Sequence, residues 1–190
     1  AADLACANMP VLNNTLVVID NSGSMACPVA GSKHAKCNET GALFGFALAK
    51  RCNADLMEFG TQARMIPYRH SQTALDFAMN FEKNNKVGHG TDFKAIFGKL
   101  KHAYDRVVIF SDMQGWIGYH CPKDAFKAYR KRSGADPFIY SVDLAGYGSL
   151  QFPESKVATM AGFSEKMFDV MAMAETDPQA LIKRIRAVEL

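Results

Sequence analysis

Residues 15–20, Thr-Leu-Val-Val-Ile-Asp, form an unbroken apolar run that stops at a carboxylate. A strand covered on both faces reads this way, because neither alternate set of side chains meets water. Residues 106–112, Arg-Val-Val-Ile-Phe-Ser-Asp, repeat the design and end on a second aspartate. Residues 40–52 are apolar nearly all round, which predicts a helix packed deeply against a sheet. Two short strands, 55–59 and 64–68, flank Gly60-Thr61-Gln62 as a hairpin. The second of these is the antiparallel edge, blunted by Pro67. Ser71 or Thr73 caps a helix reaching Asn80 or Lys83, with Ala74, Phe77, Ala78 and Phe81 on one face. Helices follow over 93–102 and 123–131, then a strand over 138–144, a short helix over 157–161 and a last strand over 167–171. Asp177 and Pro178 start a final helix whose buried stripe is Leu181, Ile182, Ile185 and Val188.

Strands that alternate with helices specify an α/β fold. The expectation is a doubly wound, mostly parallel central sheet with one antiparallel edge strand and helices on both faces. Hydrophobic residues make up 48% of the 190, which suits one full core and argues against disorder. No apolar run reaches the ~18 residues of a membrane span. The longest, 41–49, is bounded by Lys50 and Arg51. The chain opens AADLACANMP, with neither an initiating Met nor a basic start. We read 1–13 as the remnant of a preceding region or linker and 14–190 as the domain, the C-terminal part of a longer protein. A net charge of +3 permits a polyanionic partner without demanding one. The five cysteines (Cys6, Cys27, Cys37, Cys52, Cys121) are odd in number and irregular in spacing, unlike a secreted disulfide framework. Reduced thiols and a cytoplasmic location are the expectation. Cys52 reads as a small core residue. Cys27, His34 and Cys37 crowd one loop, but a fourth zinc ligand at fitting spacing is absent, so they read as loop residues.

The chemistry gathers at strand ends. Asp20, Ser22 and Ser24 place a carboxylate and two hydroxyls at alternate positions just past the first strand. Such a stretch is also common in surface turns. Two distant oxygens argue for more than a turn: Thr91, in Gly-His-Gly-Thr-Asp at 88–92, and Asp112, at the end of its strand. In open α/β sheets both aspartates would face the crevice outside the carboxyl ends of the strands. This five-donor set resembles the metal-ion-dependent adhesion site (MIDAS) of the von Willebrand factor A family. The resemblance implies Mg2+ or Mn2+, with Ser22, Ser24 and Thr91 offering hydroxyls and Asp20 and Asp112 acting mainly through waters. An open position would then take an acidic oxygen, either an Asp or Glu of a protein partner or a phosphate. Catalysis finds little support. There is no G-x-x-x-x-G-K-[ST] loop for a nucleotide, and His89 and His120 have no paired group to orient them as bases. The domain reads as non-enzymatic.

Segments downstream narrow the resemblance: 113–118 (Met-Gln-Gly-Trp-Ile-Gly), 128–132 (Ala-Tyr-Arg-Lys-Arg), 138–144, 160–164 (Met-Ala-Gly-Phe-Ser) and 168–170 (Phe-Asp-Val). Their succession is similar to the C-terminal von Willebrand A domain of the Ro autoantigen (TROVE) family, ring-shaped proteins that bind Y RNAs and misfolded small RNAs. It implies a small non-coding RNA partner reached through a parent protein, and a monomeric isolated domain. The family's ring of helical repeats is absent from the chain, and the 27–39 loop has a composition of its own. Lys123, Lys127, Arg130 and Lys131 share helical spacing, with Arg132 adjacent, and are candidates for phosphate contact. A solvated helix face explains them as well, since Ala125, Phe126 and Tyr129 supply the buried side. Trp116, Tyr119 and His120, beside the Asp112 loop, can stack on a base or simply anchor the loop. The rival reading is an adhesion-type, metal-dependent protein-binding module with no RNA role. The sequence upstream of Ala1 separates the two.

Overall fold

In the computed structural model, which describes residues 11–115, 122–148, 156–161 and 166–177, six strands build one sheet. They are β1 (Thr15–Asp20), β2 (Asp55–Phe59), β3 (Ala63–Met65), β4 (Arg106–Ser111), β5 (Phe138–Asp143) and β6 (Val157–Ala161). Their spatial order is β3-β2-β1-β4-β5-β6. β1 runs parallel to β2 and β4, β5 runs parallel to β4 and β6, and β3 alone pairs antiparallel, with β2. The chain therefore winds outward in both directions from β1, and the order reverses between β1 and β4. That reversal is where an open α/β sheet leaves a crevice.

Among the described residues five α-helices cover the sheet: α1 (Cys37–Cys52), α2 (Ala74–Phe81), α3 (Phe93–Gly98), α4 (Pro122–Ser133) and α5 (Lys166–Thr176). Because side chains alternate along a strand, each central strand feeds two cores. Val17, Ile19, Val108, Phe110, Tyr140 and Val142 face one side, with Phe46 of α1, Phe77 of α2 and Phe168 of α5. Leu16, Val18, Val107, Ile109 and Ile139 face the other, with Phe97 of α3 and Tyr129 of α4. Every residue of β1 is buried, as its unbroken apolar run predicts. Gly45 lets α1 lie almost on β1, since a Cβ there would sit 2.8 Å from Ile19 Cγ1. Phe46, next along the helix, stacks on Phe77 at 4.3 Å between centroids and so ties α1 to α2.

Several elements are shorter or different from expectation. The hairpin edge ends at Met65 rather than 68. Ile66 makes one last bond to Leu56 O (2.8 Å), and Pro67 then lacks an N–H to offer. The helix expected to reach 102 stops at Gly98, where the Arg132 guanidinium takes the terminal carbonyls of Phe97 and Leu100, each at 2.8 Å. The expected helix over 157–161 and strand over 167–171 are exchanged. Residues 157–161 form β6, paired in parallel along the free edge of β5, because five residues gain more from a ready ladder than from an isolated turn of helix. Residues 167–171 belong to α5, and Met167, Phe168 and Met171 are buried at one face. That i, i+1, i+4 spacing is helical. The final helix expected from Asp177 onward lies outside the described residues, apart from Asp177 itself, whose N–H bonds Met173 O (3.0 Å).

Candidate metal centre

β1 and β4, adjacent and parallel, deliver Asp20 and Asp112 to the same end of the sheet. Asp20, Ser22, Thr91 and Asp112 are all buried, and Ser24 is half-buried. The loop after β1 folds back on its own aspartate, with Ser22 N–H donating to Asp20 Oδ1 at 2.8 Å. Gly23–Ala26 then make one 3-10 turn. This turn brings the Ser22 and Ser24 hydroxyl oxygens to 3.2 Å from each other. Adjacent ligands of an octahedral Mg2+ lie about 2.9 Å apart at the usual metal–oxygen length. The two serines are thus nearly set as neighbouring ligands.

The Thr91 loop is fastened to this turn from the other side. Gly23 N–H donates to His89 O (2.9 Å), and Asn85 Nδ2 donates to Asn21 O. Asn85 Oδ1 in turn accepts from Val87 and Gly88 N–H at 2.9 and 3.0 Å. The hairpin turn holds the same loop through Asp92 N–H to Gly60 O (2.9 Å) and Gly90 N–H to Thr61 Oγ1 (3.0 Å). Asp92 caps α3, so Thr91 is the residue just before the cap. Beneath the turn, Asn21 Nδ2 donates to buried Glu58 (3.0 Å), which also pairs with Arg64.

Asp112 occupies the third corner. Its N–H meets Met25 Sδ at 3.2 Å, and its Oδ1 accepts from Gln114 N–H at 3.1 Å. Its Oδ2 is buried with no hydrogen-bond partner among the described residues. A carboxylate oxygen left bare in the interior is costly, and a cation or its water would remove that cost. Met113, the next residue, holds φ at 57°, a left-handed backbone that a non-glycine adopts at a cost of about 1–2 kcal/mol. Such strain gathers at functional loops. Burial pushes the Asp20 carboxyl up to about 7, against hydrogen bonds from Ser111 and Ser22 that favour its charge. Burial also raises Asp112, against the nearby Ser24 hydroxyl and the Gln114 amide. Two crowded carboxyls that resist ionisation suit a site completed by a positive ion.

All five predicted oxygens therefore sit on three loops that bond to one another or to adjoining strand ends. The residues fit Mg2+ or Mn2+, since every donor is a hard oxygen. Among the described residues no three His, Cys, Asp or Glu side chains gather as a metal group; the fit rests on hydroxyls beside two carboxylates. Trp116, Tyr119 and His120 lie outside the described residues. Lys123, Lys127, Arg130 and Lys131 all lie on α4, whose first turn is on the site's side of the sheet and whose last turn is at the opposite end. Only Lys123 is near the site end. Arg130 pairs with Asp136 at 2.8 Å and lies over Phe126.

Three supporting residues escaped the sequence reading. Ser111 Oγ donates to Asp20 Oδ2 at 2.6 Å and accepts from Met113 N–H. Its place immediately before Asp112 was the available signal. Asn85 had none, since its role depends on tertiary contact. Asp143, opposite Ser111 at the tip of β5, is a third strand-end acid, but Gly146 and Gly148 N–H groups take both of its oxygens (2.8 and 2.7 Å).

Comparison with known proteins agrees with this architecture. The structure is similar to the crystal structure of the Ro (RSR) protein of Deinococcus radiodurans, with a TM-score of 0.65 and 22% identity, over 90% of this chain and 35% of that one. It is also similar in fold to proximal thread matrix protein 1 from the mussel byssus, with a TM-score of 0.58 and 14% identity, over 88% and 49% of the two chains. The chain thus spans about a third of the length of the Deinococcus protein. No curated protein matches it in sequence. The sequence profile of the Ro60 vWA domain matches residues 14–174, most of the chain, and the protein belongs to that family.

Proposed function

We propose that this chain is the cation-dependent binding domain of a Ro-like ribonucleoprotein that engages small non-coding RNA, and that it performs no catalysis. The buried Asp112 Oδ2, without a hydrogen-bond partner among the described residues and on a carboxylate near the Ser24 hydroxyl, is the observation that carries the reading. Asp20, Ser22, Ser24, Thr91 and Asp112 would hold Mg2+ or Mn2+. The ion supplies a positive, electrophilic position for an incoming acidic oxygen, a partner's carboxylate or an RNA phosphate. The chain's own part is to fix the donors before the ion arrives. Ser111 and Ser22 N–H orient Asp20, and Asn85 and Gly23 hold the Thr91 loop to the serine turn. The RNA partner is supported by membership of the Ro60 vWA domain family and by the exposed Lys127 and Lys131. Among the described residues no helix is long and apolar enough to cross a membrane.

Mn2+ titration of the parent, Asp20→Ala and Asp112→Ala tests the site. The parent should bind saturably and gain about 2.7 kcal/mol of stability at a hundredfold excess over Kd. Both variants should fold cooperatively and lose saturable binding. Unchanged affinity in both would remove these residues from the site.

A further inference from the structure

Two thiols stand beside the serine turn with no part in the donor set. Cys27 and Cys37 bring their sulfurs to 3.5 Å. They close the base of a hairpin, in which Cys37 N–H donates to Cys27 O at 2.9 Å and Pro28 bridges Lys36. Cys37 is fully buried in the first turn of α1, and Cys27 is half-buried. Cys27 also ends the 3-10 turn that carries Ser24, and its N–H donates to Ser24 O at 3.0 Å.

A disulfide has a sulfur separation of about 2.05 Å, so closure draws the pair together by roughly 1.5 Å. The two ends do not yield equally. Cys37 is held by the helix and its enclosure, whereas Cys27 sits on a short turn at the surface. Most of the movement falls on Cys27, and its main chain passes it to Ser24. The Ser22–Ser24 spacing of 3.2 Å is already near that of an octahedral edge, so a shift of Ser24 spoils a nearly formed site.

We propose that Cys27 and Cys37 are an oxidisable dithiol, and that its closure by a peroxide weakens cation binding between Asp20 and Asp112. The second half rests on the cation reading above; the first does not. The Cys27 sulfur attacks one peroxide oxygen, the O–O bond breaks, and a sulfenic acid and one water result. The Cys37 sulfur then attacks the sulfenic sulfur, the S–S bond forms and the S–O bond breaks. The departing hydroxide leaves as water with the Cys37 proton. Two thiols and one peroxide give one disulfide and two waters.

The test is peroxide treatment of the whole chain, followed by peptide mapping and Mn2+ titration. The expected product has lost two hydrogens, with Cys27 linked to Cys37, and binds Mn2+ about tenfold more weakly than the reduced chain, the scale of other losses around metal ligands. A thiol reductant should restore the affinity. Cys27→Ser should keep its Mn2+ affinity through the same treatment, which excludes Cys6, Cys52 and Cys121 as the source. The proposal is overturned if both thiols remain open to alkylation after peroxide, or if the disulfide forms and Mn2+ affinity does not change. If the reduced chain binds no Mn2+, the cation reading fails by itself, and the dithiol stands or falls on the linked peptide.

Discussion

Asp20 shows what a single residue can and cannot disclose. Its place at the end of an apolar strand, two residues before Ser22, was legible because the spacing is local. The hydroxyl of Ser111 on its outer oxygen was not, because 91 residues separate the two and only the parallel pairing of β1 with β4 joins them. The same burial gives Asp20 a testable pH dependence. Its carboxyl titrates near 7 in the fold and near 3.8 in an ordinary setting. The folded state therefore holds the proton more tightly than the unfolded one. Without a cation, this group favours folding at low pH, and that contribution is lost as pH rises from about 4 through 7. Asp20→Asn should then melt above the parent at pH 8 in chelator, with the difference vanishing toward pH 4. A cation requires the carboxylate, so parental Mn2+ affinity should climb between pH 6 and 8. A flat profile over that range would mean that Asp20 is already ionised and the desolvation argument is wrong.

At the scale of elements, the alternation of strand and helix was legible from hydrophobic period alone, and the edge hairpin from Gly60 and Pro67. Residues 157–161 and 167–171 were exchanged because each run is short. A five-residue stretch takes its form from what lies beside it, here the free edge of β5. The connection between loops was likewise hidden, and Gly60 is where it can be probed. A Cβ at Gly60 would lie 2.2 Å from Gly88 O, a backbone atom that cannot step aside without moving the Thr91 loop. Gly60→Ala should cost about 1–3 kcal/mol, the usual range for forced overpacking. It should also weaken Mn2+ binding beyond what a general loss of stability gives. Gly98→Ala is the control, since a Cβ there meets nothing within 4 Å. Chemical denaturation and Mn2+ titration of both variants read the two effects separately. Equal Mn2+ affinity in Gly60→Ala and the parent would show that the Thr91 loop does not depend on this contact.

For the molecule as a whole, the charges on α4 bear on the proposed RNA contact. As a sequence they read as one basic stripe. In the fold, Arg132 caps α3, Arg130 pairs with Asp136, and the helix runs away from the metal centre toward the amino ends of the strands. Lys127 and Lys131 are exposed along it. A helix with so few exposed cations makes few phosphate contacts. Neutralising a few phosphates without reading bases gives affinities of about 10⁻⁴ to 10⁻⁶ M that fall steeply with salt. This chain spans 35% of the length of the Deinococcus Ro protein. RNA binding by the isolated domain should therefore be weak, salt-sensitive and indifferent to sequence. Lys127→Ala with Lys131→Ala should weaken it equally for unrelated RNAs and flatten its dependence on salt. Fluorescence anisotropy with two structured small RNAs at two salt concentrations measures all of this. Nanomolar, salt-resistant binding that prefers one RNA would place the main RNA surface on this domain and leave α4 with too little charge to account for it.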